Sequence, residues 1–222
     1  MKNCLLFLAV VAVLAIGAPA HSQYIFLDVN GDGHDSANPL EPGSGSDGLN
    51  SGVTSIDVYF DTNHNPDGST ATCDQTVSNN LTINSYEALL RSSGSGSVSY
   101  TSWTDNMGYT VNLVIGGTNG FLAGGTDCWI GLGSSTASAP NRYKVGTLHV
   151  TVTGTPVLSF LPLGGSSLNA NAETAFGTQC EGIDFDNTYK LGTDYPLNHA
   201  FGTPAPTPAV SKTWGAIKEM YK

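Results

Sequence analysis

The chain has 222 residues, 27 of them Gly, with 12% charged side chains and a formal net charge of −10. That acidity argues against nucleic acid as a partner, because such binding is driven by basic groups that displace counterions from phosphates, and it disfavours anionic membrane surfaces on the same ground. The length suits one sandwich-sized domain with a substantial core, and no second domain is evident.

The first element is an unbroken twelve-residue apolar run, "LLFLAVVAVLAI", preceded by Lys2 and followed by Gly17-Ala18-Pro19-Ala20. Such a run is too short for a bilayer core of roughly 30 Å, and Ala18 and Ala20 match an A-x-A cleavage pattern. Residues 1–22 are therefore expected to be a secretory signal peptide, with a mature chain that carries no membrane span and acts outside the cell or at its surface.

From Gln23 onward seven Lys and Arg face eighteen Asp and Glu. All ten acids up to Leu90 come before the first basic residue of the mature chain, Arg91. Carboxylates this concentrated repel one another unless they are well solvated or a cation neutralises them.

The first strand, "YIFLDV", runs into Asp28, Asn30 and Asp32 at alternate positions, followed by Gly33. This stretch resembles the calcium loop of dockerins and EF-hands, where positions 1, 3 and 5 supply side-chain oxygens and Gly at 6 allows a sharp turn. It departs from that pattern at position 12, occupied by Pro39, with Asp35 and Glu41 the acids nearest to substitute. A second such stretch, "DTNHNPDGSTATCD", sets Asn63, Asn65, Asp67 and Gly68 at positions 1, 3, 5 and 6, with Asp74 at 12 and Asp61 just ahead. Calcium is thus the expected metal. The competing explanation is a pair of tight turns, since Asn-Gly and Asp-Gly are common hairpin residues. Zinc is disfavoured: His34 and His64 lack His or Cys partners at ligand spacing, and the surrounding oxygens are hard.

A two-residue period dominates the chain from Ser55 onward and marks half-buried strands. In "SIDVYFD", Ile56, Val58 and Phe60 alternate with Asp57, Tyr59 and Asp61. "LTINSYEALLR" changes face near Ser85, where a bulge is expected. "SVSYTSW" comes next, then "GYTVNLVIGG" with Tyr109, Val111, Leu113 and Ile115 on one face, then "CWIGLG". "GTLHVTVTGTPVLSF" turns Leu148, Val150 and Val152 inward and is expected to reverse near Gly154 and Pro156; "TYKLG" comes last. About nine short strands joined by Gly, Asn, Asp and Pro turns predict an all-β, antiparallel β-sandwich over residues 23–202.

"INSYEALLRSSGSGSVSY" and "YKVGTLHVTVTGTPVLSF", within residues 53–165, resemble the strand grammar of cohesin-like domains in the carbohydrate-binding sandwich superfamily. The resemblance implies a jelly-roll fold and a binding or assembly role, because cohesins hold dockerins and their structural relatives hold glycans. The expected partner is an extracellular protein or a polysaccharide. For a polysaccharide, Trp103, Trp129, Tyr100 and Tyr109 are the rings available for stacking, unless they belong to the core.

The three cysteines after residue 22, Cys73, Cys128 and Cys180, allow at most one internal disulfide. No G-x-S-x-G elbow, H-E-x-x-H or phosphate-binding loop occurs, and the Asp184–Asp186 pair is of a kind that any acid-rich sandwich shows, so a non-catalytic role is expected. After Gly202 the Pro-punctuated "TPAPTPAVS" (203–211) reads as a semi-rigid linker. It leads to a short tail, 212–222, with Trp214, Ile217 and Tyr221 on one helical stripe.

Overall fold

The computed structural model describes residues 24–35, 47–64, 70, 82–177, 188–190 and 200–201. The expected signal peptide, linker and tail lie outside the described residues, as do Glu41, Asn65, Asp67, Asp74, Cys73, Cys180, Asp184 and Asp186.

Within them the chain is all-β and every strand pairing is antiparallel. The strands are β1 (Tyr24–Asp28), β2 (Ser55–Asp61), β3 (Ile83–Asp105), β4 (Val111–Asn112), β5 (Phe121–Gly124), β6 (Asp127–Ser138), β7 (Arg142–Phe160) and β8 (Ala175–Gly177). Two short segments, β9 (Thr188–Lys190) and β10 (Ala200–Phe201), pair with β8 and β7. The principal path is β1-β2-β7-β3-β6-β4, one continuous open sheet. Among the described residues no helix is long and apolar enough to cross a membrane.

The sheet is organised by two long strands instead of many short ones. β3 spans 23 residues and β7 spans 19, so "INSYEALLR" and "SVSYTSW" are one strand, and "GTLHVTVTGTPVLSF" does not reverse. What the sequence offers as a turn is a crease. Gly96 (φ 141°) lies opposite Gly154 (φ 72°), and a Cβ on Gly96 would sit 2.0 Å from the Thr153 carbonyl oxygen. Gly tolerates both the positive φ and the close backbone approach, so the pair bends the ribbon without ending either strand.

β3 changes partners at Leu90–Arg91, ahead of the crease, and β7 follows it through the crease. The first part of β3, from Ile83 to Arg91, lies against β6, with β8 on the other side at Ser85–Glu87. From Leu90 to Asp105 it runs along β7, which in turn pairs with β2. The register of β3 on β6 shifts between Ile83 and Ser85, as the change of face in "LTINSYEALLR" requires.

Burial follows the two-residue period. Ile56, Val58 and Phe60 of β2 and Leu148, Val150 and Val152 of β7 enter the main core with Tyr86, Ala88 and Leu90 of β3 and Ile130 and Leu132 of β6. Phe60 meets Phe176 of β8 edge-on, with ring centroids 5.0 Å apart, although β2 and β8 share no hydrogen bonds. A smaller core of Leu89, Val114, Trp129 and Ala172 fills the other side of β3 and β6. The single face expected for "GYTVNLVIGG" does not form: strand geometry is confined to Val111–Asn112, Val111 and Ile115 are exposed, and Val114 is buried. The loop at 113–120 folds over to supply Val114 to the smaller core, which overrides the local alternation.

Candidate functional site

The loop after β1 is built from side chains that bind its own backbone. Asp28 Oδ1 accepts the Gly31 amide at 2.6 Å and Oδ2 accepts the Gly33 amide at 2.7 Å. Asn30 Oδ1 accepts the Asp32 amide at 2.9 Å, and Asp32 Oδ1 accepts the His34 amide at 2.9 Å. These are successive Asx turns, the reason short polar residues favour such conformations. Gly31 (φ 80°) and Gly33 (φ 75°) supply the left-handed steps.

Asp28 and Asp35 are fully buried, while Asn30 and Asp32 are exposed. A third buried carboxylate belongs to the loop by contact: Asp47 Oδ1 accepts the Val29 and Asn30 amides at 2.7 and 3.1 Å. Burial lifts the Asp28 carboxyl above its ordinary value, the Gly33 and Gly31 amides oppose that rise, and the negative charges of Asp47 and Asp32 reinforce it. Among the described residues Asp28 is held by amides and by no basic side chain.

The loop after β2 is neutralised differently. Asp61, fully buried, accepts the Asn63 and His64 amides on Oδ1 at 2.8 and 2.9 Å, and Arg142 Nε donates to Oδ2 at 2.7 Å. The His64 ring lies 3.2 Å away. Arg142 also donates to the Gly33 carbonyl at 3.2 Å and lies over the Phe26 ring, so it ties the two loops together. One inward-outward repeat further along β7, Lys144 Nζ lies 2.6 Å from Asp57 Oδ2, and Thr147 donates to Asp57 Oδ1. The basic-free segment thus receives cations from β7.

Among the described residues no group of three or more His, Cys, Asp or Glu side chains is arranged to hold a metal ion. Of the nine metal-ligand candidates, Asp28, Asn30, Asp32 and Asp35 share one loop, Asp61 and Asn63 lie at the other, and Asn65, Asp67 and Asp74 are outside the described residues.

The aromatic candidates lie mainly inside. Trp129 is buried, and its indole N–H donates to Glu87 at 2.8 Å. Trp103 is buried and donates to the Tyr86 hydroxyl at 3.2 Å; Tyr109 is buried and donates to the Ile83 carbonyl at 2.8 Å. Tyr100 is half-buried, with its hydroxyl donating to the Thr126 carbonyl at 3.2 Å. Burial and satisfied polar tips are what core aromatics require, and these rings form no exposed stacking platform. Cys128 is a buried free thiol whose proton burial holds tightly, which suits an apolar core residue and not a nucleophile.

Sequence reasoning missed Asp47 and Arg142. Asp47 sits in the Gly- and Ser-rich "GSGSDGLN", with nothing local to tie it to Val29. Arg142 and Lys144 did leave a signal: they alternate within a strand, as Asp57 and Asp61 do, and opposite charges on facing strands pair. Comparison with family models, curated proteins and solved structures gives no match for this chain.

Proposed function

We propose that this chain is a secreted, non-catalytic binding or assembly module of the cohesin-like sandwich type, stabilised by calcium at the loop Asp28–Asp35. The observation that carries the calcium assignment is the environment of Asp28. Its carboxylate is buried beside Asp47 and Asp32, and amides occupy two of its lone-pair sites. A carboxylate offers about four such sites, so two remain for a hard cation. A buried charge without compensation costs several kcal/mol, and a divalent ion coordinated by Asp28, Asn30 and Asp32 supplies that compensation.

The sandwich description rests on the contact of Phe60 with Phe176 across strands that share no hydrogen bonds, which is how facing layers meet. Export rests on the N-terminal apolar run, and the binding role on the cohesin-like strand pattern. The alternative, a polysaccharide-binding module, has less support because Trp103, Trp129 and Tyr109 are buried.

Thermal unfolding of chelator-treated protein, with and without millimolar calcium, tests the proposal. Calcium should raise the melting temperature and magnesium should do less, because it demands a rigid octahedral shell and sheds water reluctantly. Equal melting temperatures with and without calcium would refute the assignment.

A further inference from the structure

We infer that residues 161–174, between β7 and β8, are a latched lid that opens over Trp129 while the main core stays folded, with Asp127 as the latch. This goes beyond the calcium assignment and does not depend on it. The floor under the lid is set by register. Trp129 of β6 lies opposite Leu89 of β3 and Leu122 of β5, so the three side chains form one apolar row across three strands. Two residues earlier on the same face of β6, Asp127 lies opposite Arg91 and Gly124. The lid brings Leu161, Leu168 and Ala172 down on the apolar row. Leu168 passes over Gly124, where a Cβ would lie 2.9 Å from its Cδ2.

The lid closes on itself at its base. The Leu161 amide donates to the Leu89 carbonyl at 2.8 Å, and the Thr174 hydroxyl donates to the Leu161 carbonyl at 2.8 Å while accepting the Leu89 amide at 3.0 Å. Both ends thus meet at one residue of β3, the geometry of an Ω-loop. Between the ends, among the described residues, backbone-to-backbone bonds stay within the lid: Gly164 to Ala172, Gly165 to Pro162 and Ala172 to Asn169. The polar tie to the sheet is the latch. The Ser166 hydroxyl donates to Asp127, and Arg91, which grips both oxygens of Asp127, also donates from Nη2 to the Gly165 carbonyl at 2.8 Å. A longer contact, Asn169 Nδ2 to the Ile115 carbonyl at 3.4 Å, reaches the neighbouring loop.

A segment tied at a narrow base and at one polar point opens locally, at a free energy below that of global unfolding. Opening withdraws Leu161, Leu168 and Ala172 from the smaller core alone. The main core, which takes Cys128 and Ile130 from the other face of β6, keeps its contacts. Closed, Trp129 is buried. Open, its indole stands between Leu89 and Leu122 as an apolar face that the closed chain does not present.

Thiol labelling of the whole chain tests the lid, because Cys128 and Ala172 are both fully buried, one in each core. The thiol introduced by Ala172→Cys, located by peptide mapping, should be alkylated at least tenfold faster than Cys128 under native conditions. Ser166→Ala should speed it about tenfold more, the effect expected for loss of a hydrogen bond to a charged group, and should leave Cys128 at its former rate. Should Ala172→Cys fail to fold, hydrogen exchange on the unaltered chain and on Ser166→Ala decides: the amides of Gly164 and Ala172 should exchange about tenfold faster in the variant, while those of Val58 and Val150 keep their rates. Equal labelling of the two thiols, a Ser166→Ala effect shared by both cores, or no effect of Ser166→Ala on the lid would overturn the inference.

Discussion

The loops after β1 and β2 begin alike, each with a buried Asp at the end of a strand, and they end differently. Asp61 meets a guanidinium delivered from β7, whereas Asp28 meets amides and the charges of Asp47 and Asp32. Local composition therefore does not decide how a carboxylate is neutralised. The long antiparallel partner does, because β7 carries Arg142 and Lys144 back across β2 at the register of Asp61 and Tyr59.

The largest way to break this contrast is Arg142→Met. It leaves Asp61 buried with its principal counter-charge removed, and loss of one partner from a buried pair costs about 3 to 5 kcal/mol. For a domain near this size that is a fall in melting temperature of roughly 6 to 20 °C, read by calorimetry. A change within about 1 kcal/mol would mean that Arg142 acts only at the surface.

Next comes calcium. At about 100 times its Kd a ligand specific for the folded state adds roughly 2.7 kcal/mol, or a rise of about 5 to 11 °C. Asp28→Asn and Asp32→Ala should each abolish that rise, while Asn63→Ala should keep it. Asp47→Asn should weaken it, which separates this loop from one built only on residues 28–35.

Acid should act on the two kinds of carboxylate with opposite sign. The folded-state pKa of Asp28 is raised, so its buried charge costs stability at neutral pH, and the cost disappears as pH falls through that raised value. Without calcium, the stability of the parent relative to Asp28→Asn should improve on mild acidification. Asp127, gripped by Arg91 Nε and Nη2 at 2.7 Å each, has a lowered pKa. Its contribution is fully present above the ordinary carboxylate value and is lost as pH falls through the lowered one, so the advantage of the parent over Asp127→Asn should shrink in acid. Urea melts over a pH series check both signs.

The smallest effect belongs to His64→Ala. Its side chain is 45% exposed beside Asp61, and exposed pairs contribute about 0 to 1 kcal/mol. A larger loss would show that Arg142 does not suffice for Asp61.

Much of the fold was legible in the sequence because alternation is a local property: β2, the inward residues of β7 and the bulge near Ser85 all derive from it. The crease was not, since Gly154 and Pro156 look like a chain reversal until Gly96 is seen opposite Gly154, a pairing between residues far apart in the chain. The spacing of Asp28, Asn30 and Asp32 marked a polar loop, and their side chains bind backbone amides two, three and five residues further on. Asp47 and Arg142 were hidden for the same reason as the crease, because their contacts are made by tertiary register. For the aromatics the sequence left stacking and core roles both open, and packing places Trp129 and Tyr109 in the core.

Calorimetric titration of calcium into the chelator-treated protein tests the central contrast most directly, because it counts sites. One calcium per chain, lost in Asp28→Asn and retained in Asn63→Ala, is the result predicted by a loop that needs a cation beside one already neutralised by Arg142. No binding, or one site that survives Asp28→Asn and disappears in Asn63→Ala, would contradict it.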